Sequence, residues 1–288
     1  PGGAGRYRRA VANPASFALD LSTGIPDPAL LPDLAAAIRS VPTAETTGSY
    51  LDDPVVPELI EHLRPTWPYV AEQFTIVDGA QDALELTARA LLRFGDRVVV
   101  EHPTFPPLID LLEAIGVEIV GVPMDDEGLQ VAPLAEAVQR RTAAAFLQPR
   151  GQNPTGVSMS PRRAADLAAR LRGTEAVIVE DDSSGAIALT PAISLGAQLP
   201  EQTLHVRSFS KSHGPDLRLA AVSGPAGLIE RLTVLRQLGQ GWTSRLLQRL
   251  LLALLSDPVA VDQVGAARVE YARRRRALVD ALAGEGVT

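Results

Sequence analysis

One lysine, Lys211, stands in the stretch SFSKSHGPDLR (208–218) of a 288-residue chain, the other 26 of its 27 basic side chains being arginine. Arginine serves wherever a fixed positive charge is wanted. Lysine can shed its proton in a desolvated site and act as a nucleophile. Hydroxyls flank it at Ser208 and Ser210, and Arg218 follows seven residues on. Elsewhere the chain offers VEDD, which ends in Glu180, Asp181 and Asp182, and RGQNPTG, which presents the Asn153 amide. It also offers HPTF, which carries the Phe105 ring, and DGAQ, with Gly79, Ala80 and Gln81. Three adjacent carboxylates repel one another and call for a cation or a protonated ring. A Gly-Ala turn opening a helix exposes free N–H groups and the positive end of the helix dipole, a seat for an anion.

These residues need a scaffold that gathers them. FTIV, RVVVE, VEIVGV, AAAFLQP, AVIVEDD, TLHVRS and RLAAVSG are short apolar runs without polar alternation, as in strands covered on both faces. Between them ALELTARALLRFG, PLIDLLEAIG, residues near 131–141 and residues 161–172 have helical spacing, and three more helical stretches fill 226–284. The pattern predicts an α/β three-layer sandwich with a mainly parallel sheet of about seven strands. In such sheets ligands bind beyond the carboxyl ends of the strands, where every one of the polar groups above falls. The expected organisation is an N-terminal arm over 1–44, a large domain over 45–260 and, over 261–288, a helix leading into a small C-terminal domain.

Composition narrows the function. The net charge of −7 argues against this segment gripping nucleic acid itself, and the run Arg273–Arg276 lies in a helical pattern as a solvated face. Without cysteine, and with four scattered histidines, neither disulfides nor a metal centre is expected. No apolar run reaches the roughly 18 residues of a membrane span, so a cytoplasmic protein is expected. The chain opens on Pro1 and stops at GEGVT, which suggests a piece of a longer protein. Ser208 and Lys211 also satisfy S-x-x-K, the nucleophile pair of penicillin-binding proteins, but neither S-D-N nor K-T-G occurs.

An anion seat, an aromatic plate, an amide, a carboxylate and a nucleophilic amine are together the parts that pyridoxal 5'-phosphate requires. SFSK with LR, NPTG and VEDD resemble the fold-type-I, pyridoxal-phosphate-dependent aminotransferases of class I/II over residues 20–288. Within that class GIPDPALLP, LQPRGQNPTGVSMSP, RSFSKSHGPDLRLAAVSGP and GWTSRLLQ are most similar to the aminotransferase-like domain of MocR-type GntR regulators. The resemblance makes Lys211 the aldimine lysine, Asp181 the partner of the ring nitrogen, Asn153 a donor to the ring hydroxyl and Phe105 the stacking ring. It assigns the phosphate to Gly79, Ala80, Gln81, Ser208, Ser210 and Arg218. Tyr50 would reach the phosphate of a second subunit, which implies a homodimer with shared sites.

The resemblance implies a sensor of an amino acid or amine, its DNA contacts made through an N-terminal domain outside this chain. The alternative is an active aminotransferase. Three departures bear on that choice. Ser183 and Ser184 stand where the family has a tyrosine, Asp78 opens the phosphate turn in place of Ser or Thr, and Asp53 and Val55 replace a Pro and a Gly. The arginine that binds a substrate carboxylate is expected in the C-terminal domain, beyond Thr288.

Overall fold

The computed structural model of the protein describes residues 24–42 and 48–286, so most of the predicted arm lies outside the described residues. Among the described residues eight strands form one sheet: β1 (Gln73–Val77), β2 (Arg97–His102), β3 (Glu118–Asp125), β4 (Gly128–Leu129), β5 (Ala144–Leu147), β6 (Val177–Asp182), β7 (Thr203–Ser208) and β8 (Ala220–Gly224). Their order is β1-β8-β7-β6-β5-β2-β3-β4. The five strands from β7 to β3 pair in parallel, and β8 runs antiparallel to both β7 and β1. The predicted seven strands are all present; the eighth is the two-residue β4, which returns from β3 by a tight turn.

Ten α-helices among the described residues accompany the sheet: α1 (Leu34–Ser40), α2 (Pro57–Leu63), α3 (Ala80–Leu91), α4 (Pro106–Ile115), α5 (Val131–Ala137), α6 (Pro161–Leu171), α7 (Ser210–His213), α8 (Ala226–Gln237), α9 (Arg245–Ser256) and α10 (Pro258–Gly284). Several begin where the sequence supplies a cap. Asp33 accepts from the Ala35 and Ala36 amides before α1, and Ser160 accepts from Arg163 N before α6. Helix α10 starts at Pro258 and runs unbroken to Gly284. Among the described residues no single helix is long and apolar enough to cross a membrane.

The middle strands lack alternation because helices cover both faces. Every residue of β5, β7 and β8 is buried. Val179 and Phe146 pack with α3 and α4 on one face, and Ile178 and Leu147 pack with α5 and α6 on the other. That division fixes the direction of the three carboxylates that close β6. Asp181 follows Val179 toward α3 and α4, while Glu180 and Asp182 follow Ile178 to the opposite face. The register aligns the strand ends as well. Ala220 faces Val77 on one side and Ser208 on the other, so the DGAQ turn and the lysine loop leave the sheet at the same edge row.

Candidate active site

The three carboxylates at the end of β6 have three different fates. Glu180 accepts from Ser194 Oγ (2.5 Å) and Leu195 N (2.6 Å) and contacts His205 Nδ1 (2.8 Å), all of it buried. Asp182 takes a bidentate pair from Arg150, Nε at 2.8 Å and Nη2 at 2.6 Å. Burial opposes its ionisation, but the Arg150 bonds and charge win and hold its carboxyl below the usual range. Asp181 has only neutral donors: Ser183 Oγ at 2.6 Å and Gln148 Nε2 at 2.7 Å. Burial therefore pushes its pKa up, the two hydrogen bonds working against that and Asp182's charge adding to it. Asp181 is thus a buried carboxylate whose ionised form gains from a cation brought to it.

Asp181 opens onto a small cavity whose other walls include Phe105, Thr104, Leu84, Phe146 and Gln148. Phe105 caps the start of α4 and is half-buried there. Lys211 lies on the short helix α7 at the end of β7, partly exposed, and its charge favours ionised Asp181. Gly24 passes directly over the amine: a Cβ there would stand 3.5 Å from Lys211 Nζ. Asn153 is exposed at the rim, its N–H donating to Gln148 Oε1 (2.8 Å).

The DGAQ turn forms the second half of the site. Gly79 has φ +100, a conformation that L side chains rarely adopt, and precedes the first turn of α3. A Cβ on it would lie 3.2 Å from Arg218 Nη2, so the Arg218 guanidinium rests against the turn. Arg218 itself takes a left-handed conformation (φ 49), and Ser208 Oγ accepts from Ser210 N (3.3 Å) beside it. Asp78 does not leave an unbalanced charge at this seat. Arg236, buried on α8, donates to Asp78 Oδ2 (3.0 Å) and Asp82 Oδ2 (2.8 Å), and Asp82 also accepts from Asp78 N (2.9 Å).

The structure thus gathers Lys211, Asp181, Phe105, Asn153, Ser208, Ser210, Arg218 and the turn Gly79–Gln81 at one end of the sheet. It does not bring Tyr50 to them within one chain. Tyr50 is 89% exposed, next to Leu51 at 95%, and meets Trp242 edge-on at 5.8 Å between ring centroids. The residues that sequence reasoning passed over are supporting ones. Gln148 bridges Asp181 and Asn153, Arg236 bonds both carboxylates of the turn, and Gln152 ties Glu101 Oε2 (3.1 Å) to Pro103 O (2.8 Å). A signal existed for Gln148, a polar side chain closing the apolar run AAAFLQP next to the carboxylate strand.

The family model for aminotransferases of class I and II matches residues 18–288. The chain belongs to the class I and II aminotransferase family.

Relatives of this family member include regulators as well as enzymes. The vitamin B6 salvage pathway transcriptional repressor PtsJ of Salmonella typhimurium is 38% identical over 273 residues, 93% of this chain and 63% of the repressor. The HTH-type transcriptional regulator TauR of Rhodobacter capsulatus is 28% identical over 242 residues, 82% of this chain and 49% of the regulator. The chain therefore spans about half to two thirds of the length of these two regulators. Among solved structures, the α-aminoadipate aminotransferase LysN of Thermus thermophilus, complexed with N-(5'-phosphopyridoxyl)-L-leucine, superposes with a TM-score of 0.82. It is 26% identical, and the match covers 91% of this chain and 70% of that one. Transcription regulators among the relatives agree with the resemblance to MocR-type proteins; the mainly parallel sheet read from the strand pattern and the aminotransferase fold implied by the resemblance are both observed.

Proposed function

We propose that the chain is the pyridoxal-phosphate-binding, aminotransferase-like domain of a MocR-type GntR transcription regulator that responds to an amino acid or amine. The observation that carries the reading is Asp181, buried among neutral donors in a cavity walled by Phe105, with the chain's single lysine beside it. Pyridoxal 5'-phosphate supplies an aldehyde that combines with amines and a ring that draws electrons when its nitrogen is protonated. The residues present fit it. Asp181 would accept from the protonated ring nitrogen, Phe105 would stack on the ring, Asn153 would donate to the ring hydroxyl, and Lys211 would provide the resident amine. Gly79, Ala80, Gln81, Ser208, Ser210 and Arg218 would hold the phosphate at the start of α3, in a turn whose own carboxylates, Asp78 and Asp82, are both bonded by Arg236.

Ser183 favours sensing over fast turnover. With Ser184 it stands where the family has a tyrosine, and it gives its proton to Asp181 at 2.6 Å, so it does not supply that tyrosine's contact to the ring hydroxyl. Kinship with transcription regulators supports the same reading. The exposed Tyr50 and Leu51, beside the half-buried Trp242, fit a homodimer in which Tyr50 approaches the phosphate of the second copy. DNA would be held by an N-terminal domain, and the protein would act in the cytoplasm.

The test has two stages. Given the cofactor, the protein should absorb in the visible range, and Lys211→Ala should not. Borohydride reduction should then place the adduct on Lys211. A colourless protein would end the reading. The full-length gene product should bind DNA in a way that changes with an amino ligand while transferring amino groups slowly or not at all. Transfer at roughly 1 per second or faster, without ligand-dependent DNA binding, would make the protein an aminotransferase instead.

A further inference from the structure

The sheet face opposite the Asp181 cavity carries a second, larger cleft of about 630 Å³, in the size range of small-molecule sites. Its floor is Arg207 and Phe209 at the end of β7, its sides are the end of α2 and the 185–192 segment, and its far wall is the first part of α10. Small residues such as Ala186, Ala188 and Gly265 leave the room. Gly185 ties the 185–192 segment to β7, because a Cβ there would stand 2.6 Å from Ser208 O.

Charge in this cleft is one-sided. Arg150, Arg207, Arg268, His62 and His213 line it, and among the described residues no carboxylate does. Asp182 sits behind Arg150 and is taken up by it, with Arg207 Nε 4.0 Å from Asp182 Oδ2. One carboxylate thus faces two buried guanidiniums. Glu180 is engaged with His205, Ser194 and Leu195 and offers Arg207 nothing. Burial lowers the pKa of Arg207 to about 10, Asp182 opposing, which leaves it charged at neutral pH. His213 is driven down to about 4 by burial and is neutral there.

Arg207 is held in place without being satisfied. Its side chain is 9% exposed, its guanidinium stacks 4.3 Å over the Trp67 ring, and Nη1 and Nη2 donate to Thr66. Its Nε has no hydrogen-bond partner. Arg268, across the cleft on α10, makes no ion pair among the described residues and is exposed. A buried cation with an unmet donor, sharing its one carboxylate with Arg150 and faced by a second cation over apolar walls, gains from a further anion.

We propose that this cleft binds a small organic anion with an apolar body, its charged group between Arg207 and Arg268 and its body against Phe209, Leu63 and Val264. The site is separate from the Asp181 cavity, since it lies on the other face of the sheet and shares none of that cavity's lining residues.

The probe is 8-anilinonaphthalene-1-sulfonate, titrated by fluorescence into the cofactor-loaded protein, beside its uncharged analogue N-phenyl-1-naphthylamine. The expected result is saturable binding of the sulfonate and weaker binding of the neutral analogue. Arg268→Glu should weaken the sulfonate about tenfold or more, the scale of one charge-assisted hydrogen bond. Gly265→Leu should abolish saturable binding by filling the cleft. Nothing lies within 4 Å of a Cβ at Gly265, and leucine suits a helix better than glycine, so that variant keeps its fold. Both variants should keep the visible cofactor band. Absence of saturable binding, equal binding of the neutral analogue, or unchanged affinity in either variant would overturn the proposal.

Discussion

Glu101, at the end of β2, lies next to the Asp181 cavity with 1% exposure, and burial raises its pKa to about 8, the hydrogen bond from Gln152 working against the rise. Its Oε1 has no hydrogen-bond partner. At neutral pH it is therefore a protonated, uncharged acid, for which glutamine is a close substitute in shape and charge. An acid whose pKa is higher folded than unfolded binds more protons in the folded state. Its contribution to stability is complete below its unfolded value near 4.5 and drains away as pH rises through about 8. Between pH 7 and pH 9 the unfolded chain keeps this group ionised, while the folded chain goes from about one tenth to about nine tenths ionised. Integrated, that costs about one pK unit, or ~1.4 kcal/mol, of wild-type stability. Glu101→Gln removes the group and with it this part of the pH dependence. Urea unfolding of both proteins, followed by circular dichroism at pH 7 and pH 9 at one ionic strength, measures the difference, since all other titrations cancel in the comparison. The variant should gain on wild type by about 1.4 kcal/mol across that interval. A wild-type-minus-variant difference that stays level with pH would show that Glu101 is already ionised in the folded state at pH 7 and that the burial argument is wrong, whereas titration near 8 requires the difference to fall across the interval.

The two aspartates that end β6 should part company when each is replaced. Asp181→Ala should weaken cofactor binding and move the visible band while leaving the fold intact. Asp182→Ala should leave the band near its place but cost roughly 3–5 kcal/mol in urea unfolding, by stranding Arg150 and Arg207. Gly79→Ala should lower phosphate-dependent cofactor affinity, measured by equilibrium dialysis, because its Cβ forces a φ of +100 on alanine and presses on Arg218. Arg236→Met should lower affinity further, since Asp78 and Asp82 would then face the incoming phosphate without the guanidinium that bonds both of them.

The sheet could be read from the chain because its strands are buried on both faces, and continuous apolar runs such as AAAFLQP and AVIVEDD, alternating with helical stretches, are what such strands require. The candidate site could be proposed because it hangs on strand ends, so naming the strands placed Phe105, Asn153, Asp181 and Lys211 at one end of the sheet. What stayed hidden were partners distant in sequence. Arg236 bonds a carboxylate 158 residues earlier, and nothing local to RLTVLRQ marks it. Gln148 meets Asp181 only through the pairing of β5 with β6, a contact across 33 positions. Helix α2 also went unread: PELIEHL is a short segment that starts on Pro57 just after Pro54, and its burial comes from α9 rather than from any pattern of its own. The divergent fates of Glu180, Asp181 and Asp182 follow from alternation along a strand, which the sequence does display, but not from which cation waits on each face.

The closed set of charges around the DGAQ turn has a kinetic consequence. Asp78, Asp82, Arg236 and Arg218 sum to zero, so the turn projects little field beyond its own N–H groups and the start of α3, while the whole chain carries −7. A phosphate bound at this turn as proposed would be recognised on contact and not drawn in from a distance. Approach of a dianion is opposed by the protein's overall field, and added salt screens that opposition. Cofactor loading by this protein should therefore quicken as ionic strength rises, the reverse of what a lysine-lined, electrostatically steered phosphate site would do.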